Sequence, residues 1–398
     1  MNTADMTFPL VTLQPVVNAR HGWVALSLDT GGGIDAAALG RIFCEFGLYD
    51  SLDGLPCVVA LDDAPADLGE FIPARDIILR LPAARCADAD FADTLLRLQR
   101  DGFRLIADGL PSVGTRLPPP ITGLALACDD GSPPAGAGEW LPRLPGLHLA
   151  LGVDSTDALA HCSGANFQWF AGNYPLRPAT GTGAGQSPGG PSVALLLKLL
   201  TLVAQDAETR EIEAILKQDP HLSYQLLRLV NSVSFALTQK ITTFGQALQL
   251  LGRRQLQRWL QLLLYANPVA GRPSPLLPRA ALRAALMEAL LRHAGPTGDS
   301  GEMIDRAFMA GMFSLLDALL GMPLAEALGQ LNLADDLMAA LLAREGWLGQ
   351  LLDVVTAAEH SPAELGPALA GAGLDSAVWA ETLAQSCRWA IQVSRESV

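Results

Sequence analysis

Ala179-Thr-Gly-Thr-Gly-Ala-Gly-Gln-Ser-Pro-Gly-Gly190 divides this chain of 398 residues. Five of its twelve positions are glycine and none carries a large apolar side chain. Such a stretch cannot build an element of its own and reads as a flexible tether between two units. The sequence patterns on its two sides differ.

Before the tether, short apolar runs alternate with helical patterns. Strands are expected at Leu10–Val17, Trp23–Leu28, Cys57–Leu61, Ile77–Leu81, Phe103–Ala107, Gly123–Ala127, Leu147–Leu151 and Phe167–Phe170, with helices at Ala36–Phe46, Phe91–Arg100 and Thr156–Cys162. This alternation predicts a mostly parallel sheet, and about eight strands predict closure into a TIM-like α/β barrel. Residues 1–178 are short for such a barrel, so some of its helices are expected to be reduced or missing.

After the tether the patterning is helical throughout, which predicts an all-α domain over 191–398. Apolar faces recur over Val193–Ala204, Glu208–Lys217, Ala247–Ala266, Arg279–His293, Met303–Leu320, Ala334–Leu342 and Trp347–Glu359. Asp219-Pro220 reads as an N-cap with proline in the first turn, starting a helix through Leu229. Thr243-Phe-Gly-Gln246 and Ser361-Pro-Ala-Glu364 have capping-box spacing.

The net charge of −14 is uneven: residues 1–190 hold 11 Arg, no Lys and 21 acidic groups, whereas 191–398 hold 16 basic and 20 acidic ones. A surface of this sign repels phosphate backbones, so stable nucleic-acid binding is not expected. No apolar run reaches the roughly 18 residues of a membrane-spanning helix. The opening Met1-Asn-Thr-Ala-Asp-Met-Thr-Phe8 lacks the basic start and apolar core of a secretory signal, so the expected location is cytoplasmic. Cys44, Cys57, Cys86, Cys128, Cys162 and Cys387 are scattered, and five lie in or beside apolar segments, as buried free thiols do.

Two stretches of the second half carry a resemblance. Ile215-Leu-Lys-Gln-Asp-Pro-His-Leu-Ser-Tyr-Gln-Leu-Leu-Arg-Leu-Val-Asn-Ser232 and Lys240-Ile-Thr-Thr-Phe-Gly-Gln-Ala-Leu-Gln-Leu-Leu-Gly252 resemble the HDOD domain, a helical relative of metal-dependent HD phosphohydrolases. In the first half, Gln14-Pro-Val-Val17, Asp101-Gly-Phe-Arg-Leu-Ile-Ala-Asp108 and Phe167-Gln-Trp-Phe-Ala-Gly-Asn-Tyr-Pro-Leu-Arg-Pro178 resemble strands of a degenerate EAL domain, the barrel that hydrolyses cyclic di-GMP. An EAL-like barrel followed by HDOD is an architecture of bacterial signalling proteins.

The resemblance implies a two-metal phosphodiesterase site at the C-terminal ends of the strands, and its ligand positions are worn here. The acidic residue implied on the second strand falls at Ser27, and the asparagine of the third at Ala60. The signature glutamate in Ile77–Leu81 falls at Arg80, which repels a cation. The paired aspartates after Phe103–Ala107 are reduced to Asp108-Gly109, and the late acidic position survives as Asp154. Neither metal nor cofactor is expected, and Asp108 and Asp154 are read as remnants that cap the turns after their strands. The helical half has no His-Asp dipeptide, and His221, His293 and His360 lack ligand spacing.

The one basic concentration is Lys240, Arg253, Arg254 and Arg258, with Arg254 and Arg258 on one helix face. Two readings stand for it: a contact for phosphate or acidic partners, or a solvated face with Trp259 turned into the core. Met303, Met309, Met312 and Phe313 read as a core stripe, and Ser314 as a small packing residue. The function expected is that of a non-catalytic adaptor in cyclic di-GMP signalling, with other signalling proteins as partners. The alternative is a sensor that binds cyclic di-GMP weakly without cutting it; active hydrolysis is a third reading.

Overall fold

Asn18 starts the architecture by reversing the chain. Its side-chain carbonyl accepts from the backbone N–H groups of Arg20 at 2.9 Å and Gly22 at 3.1 Å, and His21 takes a left-handed φ of 65°. The turn joins β1 (Thr12–Asn18) to β2 (Trp23–Asp29) as an antiparallel hairpin. The computed structural model that shows this describes residues 9–32, 34–112, 114–128, 131–176, 193–216, 218, 219, 222, 244–266, 274–294, 301–329, 331 and 333–396.

From β2 onward every step is parallel: β3 (Cys57–Ala60), β4 (Ile77–Pro82), β5 (Arg104–Asp108), β6 (Ile121–Ala127), β7 (Leu149–Leu151) and β8 (Trp169–Ala171). β8 pairs antiparallel with β1, closing an eight-stranded barrel. All eight strands fall where the apolar runs place them, each shifted by at most two residues at either end. The connections carry α1 (Ala36–Gly40), which runs into a wider turn over Arg41–Glu45, then α2 (Leu48–Ser51), α3 (Ala83–Cys86), α4 (Ala92–Asp101), α5 (Ala137–Trp140) and α6 (Thr156–Gly164). Among the described residues no helix joins β5 to β6.

Alternation along the strands separates two apolar layers. Val16, Ala25, Val58 and Ile78, with Ile106, Ala125, Leu149 and Ala171, fill the barrel interior. Side chains of the opposite parity, such as Leu26, Val59 and Leu105, join the outer core.

The second half is helical: α7 (Val193–Ala204), α8 (Thr209–Leu216), α9 (Phe244–Ala266), α10 (Leu276–Ala294), α11 (Gly301–Phe313), α12 (Leu316–Leu320), α13 (Leu324–Leu328), α14 (Asp335–Ala343), α15 (Gly346–Ala357), α16 (Pro362–Gly371) and α17 (Ser376–Glu396). Asp219 Oδ1 accepts from Leu222 N at 3.2 Å, as the N-cap reading requires, and Ser361 Oγ from Glu364 N at 3.3 Å. The helix expected on to Leu229, Thr243, and the tether at 179–190 lie outside the described residues. The stretch read as one helix over Met303–Leu320 is two: it breaks at Ser314, whose hydroxyl donates to Gly311 O at 2.7 Å and accepts from Arg283 Nη1 at 2.8 Å. Ser314 is therefore hydrogen-bonded as well as a small buried residue. Met312 and Phe313 are buried as expected.

α10 runs through the middle of this half. At Gly311 a Cβ would lie 2.5 Å from Ala284 Cα, so glycine lets α10 and α11 meet backbone to backbone. α17 packs on α10 and also on α2 of the barrel. Its Trp379 is fully buried and donates from Nε1 to Val11 O at 2.7 Å. The outer apolar core runs unbroken from the barrel into the helices, so the two halves are docked. Five of the six cysteines are buried, and none is in a disulfide.

Candidate functional site

Strand parity decides which side chains meet at the barrel mouth. Ala25, Val58, Ile78 and Ile106 belong to the interior layer, and Ser27, Ala60, Arg80 and Asp108 stand two residues further along the same strands. They therefore share the inward face, one layer nearer the C-terminal rim. Because β1 runs the other way, Gln14 stands opposite Ser27 and joins that layer, which Ala127 of β6 and Leu151 of β7 complete. Four positions singled out far apart in sequence thus form one ring.

Arg80 Nε lies 3.2 Å from Asp108 Oδ2, with the two side chains 17% and 37% exposed. The Nε–H finds no aligned acceptor, so the attraction is between charges rather than a directed bond. Burial raises the pKa of Asp108 above the usual carboxylate range, and the Arg80 charge works against that rise. Gly109 follows in a left-handed conformation with φ 84° and turns the chain off the rim. The partner of Asp108 is thus Arg80 on the neighbouring strand. Asp154, after β7, accepts from Asn173 N at 2.9 Å and so ties the exit of β7 to that of β8. The cap of α6 is the neighbouring Ser155, which accepts from Ala158 N at 3.0 Å.

The helical half supplies the remaining groups. Gln14 Nε2 donates to the main-chain carbonyls of Glu359 and His360, each at 3.3 Å. The Glu359 carboxylate accepts two bonds of 2.6 Å from Arg283 of α10. One turn earlier, Arg279 donates to Gly172 O at 2.7 Å and to Asn173 Oδ1 at 3.4 Å. Arg279 and Arg283 are 5% and 6% exposed. Burial lowers the pKa of Arg279. For Arg283 burial acts the same way, but the charge and hydrogen bonds of Glu359, with the nearby Tyr265 and Asp317, together outweigh it and the pKa is raised. Burial pushes Glu359 up, and the charge and hydrogen bonds of Arg283, with the Arg279 and His360 charges, together reverse that, leaving it below the ordinary value. The sequence reading passed over these groups. A signal existed: Arg279 and Arg283 are four apart on a helix otherwise dominated by Leu and Ala, a pattern that buries both.

The two divalent ions that the EAL resemblance implies would need several hard oxygen donors around each ion. The ring offers one carboxylate, and that one faces a guanidinium. Among the described residues no three His, Cys, Asp or Glu side chains are grouped to hold a metal ion. These residues do not fit a metal pair. In the helical half, His293 and His360 are exposed, and His221 lies outside the described residues.

The basic concentration is largely neutralised from within. Asp305 of α11 accepts from Arg254 Nε at 2.6 Å and from Arg258 Nη2 at 3.2 Å. Arg258 also pairs with Glu288 at 3.0 Å and lies over the Phe308 ring. Arg253 donates to Ala207 O at 2.6 Å. Arg254 and Arg258 do share a face, but it is turned to α10 and α11; Lys240 lies outside the described residues. Two cavities stand away from the rim, and the larger, of about 390 Å³, is an open acidic dent beside Asp67, Glu70, Arg97 and Asp101. Among the described residues no helix is long and apolar enough to cross a membrane.

Residues 188–320 match the HDOD domain family. Among curated proteins, the chain is similar to the cyclic di-GMP phosphodiesterase CdgJ of Vibrio cholerae, with 32% identity over 207 residues, covering 52% of this chain and 46% of that protein. It is also similar to the uncharacterized protein YuxH of Bacillus subtilis, with 29% identity over 218 residues, 54% of this chain and 52% of that one. The chain spans about half the length of the curated relatives it matches. Among solved structures it is similar to the EAL domain of Mycobacterium smegmatis DcpA, at 14% identity and a TM-score of 0.33 over 41% of this chain and 89% of that one. A second is the Xanthomonas citri FimX EAL domain in complex with c-diGMP, at 14% identity and a TM-score of 0.33 over 42% and 86%. The C-terminal region of this protein carries an HDOD domain, placed behind a closed eight-stranded barrel.

Proposed function

We propose that this protein is a regulatory adaptor linked to cyclic di-GMP signalling, which acts by engaging other signalling proteins and does not hydrolyse the nucleotide. On this reading residues 1–178 are a worn, trimmed EAL barrel, joined through 179–190 to the HDOD domain at 191–398. The observation that carries it is Arg80. A guanidinium in the rim layer repels divalent cations and is paired with the single carboxylate of that layer. The likeness to CdgJ supports the link to cyclic di-GMP, while the composition of the ring speaks against turnover.

The deciding assay incubates the purified full chain with cyclic di-GMP and magnesium or manganese. The expected result is no turnover. Hydrolysis that disappears in the Asp108→Ala/Asp154→Ala double variant would overturn the proposal. Binding without hydrolysis is the second reading, favoured by the partial exposure of Arg80. Calorimetric titration of the full chain with cyclic di-GMP separates it: heat that is lost in Arg80→Ala would shift the function from adaptor to sensor.

A further inference from the structure

The C-terminal helices cover one half of the barrel mouth and leave the other half open. On the covered half, Gln14 is tied to the carbonyls of Glu359 and His360, and Gly31 lies against Pro362, which is 3.3 Å from where its Cβ would stand. Ser27 and Thr30 are 7% and 8% exposed there. On the other half Ala60, Arg80 and Asp108 are only partly buried, and Ala127 is exposed. We infer that α10 and the α15–α16 corner form a built-in roof over the β8–β1–β2 side of the ring, latched by Arg279, so that outside molecules reach the ring only from the β3–β6 side.

The latch follows from what Arg279 touches. Its hydrogen bonds go to Gly172 O and Asn173 Oδ1, both on the barrel, and it makes no ion pair among the described residues. Docking strips water from the guanidinium, and these two bonds together with the nearby Glu359 and Asp154 charges work against that cost. Lifting the roof breaks both bonds, so Arg279 favours closure. The buried Trp379 and its bond to Val11 O favour closure. Arg279 also shares its helix with Arg283, which holds Glu359, so a partner that shifts α10 acts on both attachments of the roof together.

The test uses the full chain with Cys44, the exposed native cysteine, changed to serine. Ser27→Cys reports the roofed half and Ala127→Cys the open half, each read as a rate of modification by a thiol reagent. Ser27→Cys is expected to react at least about tenfold more slowly than Ala127→Cys, and Arg279→Met to remove most of that difference by speeding Ser27→Cys alone. Equal rates in the unaltered seam would overturn the roof. Continued protection of Ser27→Cys in Arg279→Met would overturn the latch, and so would equal acceleration of both probes, which reports unfolding. If Arg279→Met does not fold, Arg279→Gln, shorter and uncharged, takes its place, and the same outcomes decide.

Discussion

Arg283 grips Glu359 through two bonds of 2.6 Å, and the main chain of that same glutamate accepts from Gln14 on the first strand. One residue therefore joins the central helix of the second half to the inside of the barrel mouth. Both side chains are largely removed from water.

Removing only the acid leaves a buried guanidinium without its counter-charge. Glu359→Ala is expected to lower stability by about 3–5 kcal/mol. The apolar pair Arg283→Met/Glu359→Leu should recover most of that loss, since neither charge then remains to be desolvated. Urea unfolding of the three proteins checks the order; a double variant no more stable than Glu359→Ala would refute it.

The rim pair predicts a pH effect of definite sign. Burial raises the pKa of Asp108 and Arg80 opposes the rise, so in Arg80→Met the pKa should climb further. A carboxyl whose folded pKa lies above its unfolded value binds its proton more tightly when folded, and stability then falls as pH rises through that interval. The stability of Arg80→Met relative to the parent should thus worsen as pH rises from the unfolded carboxylate value of about 3.9. Denaturant titrations across that range measure it, and a flat difference would remove the coupling.

Two glycines of the barrel should respond very differently to alanine. At Gly123 a Cβ would fall 1.8 Å from Leu147 O, so Gly123→Ala forces β6 away from the chain entering β7. At Gly109 the added carbon meets nothing within 4 Å, and the strain is only that of φ 84°. Gly109→Ala should cost about 1 kcal/mol, and Gly123→Ala more than about 3 kcal/mol or the fold itself. Thermal melts by circular dichroism distinguish the two.

Trp379→Phe keeps most of the ring volume and deletes the donor to Val11 O. A buried carbonyl left without its partner should cost about 1–3 kcal/mol. Hydrogen exchange should also rise at the start of β1, where an unchanged pattern would show that the bond contributes nothing to the docking.

The barrel was legible because its strands are short apolar runs parted by turn residues, from Trp23–Asp29 to Trp169–Ala171. The direction of β1 was not, since apolar alternation does not record which way a strand runs; the Asn18–Gly22 turn carries that information. Ser27, Ala60, Arg80 and Asp108 were readable one by one, and their assembly into one ring follows from strand parity. The bonds of Ser314 were not legible, since its hydroxyl meets Arg283, a partner 31 residues away. α17 went unassigned although Asp375, whose Oδ1 accepts from Val378 N at 2.8 Å, marks its start in the usual way. Arg279 acquires its role only from Gly172, 107 positions distant, and no local pattern contains that fact.

The single apolar core that passes from the barrel into the helices has a practical corollary. Cutting the gene at the glycine-rich segment would yield two fragments, each presenting raw oily surface where Trp379, Val11 and their neighbours now meet. Such pieces invite aggregation and spurious stickiness in binding screens. Partner searches with this molecule are best run on the uncut polypeptide, where a positive result reports a face the protein really shows.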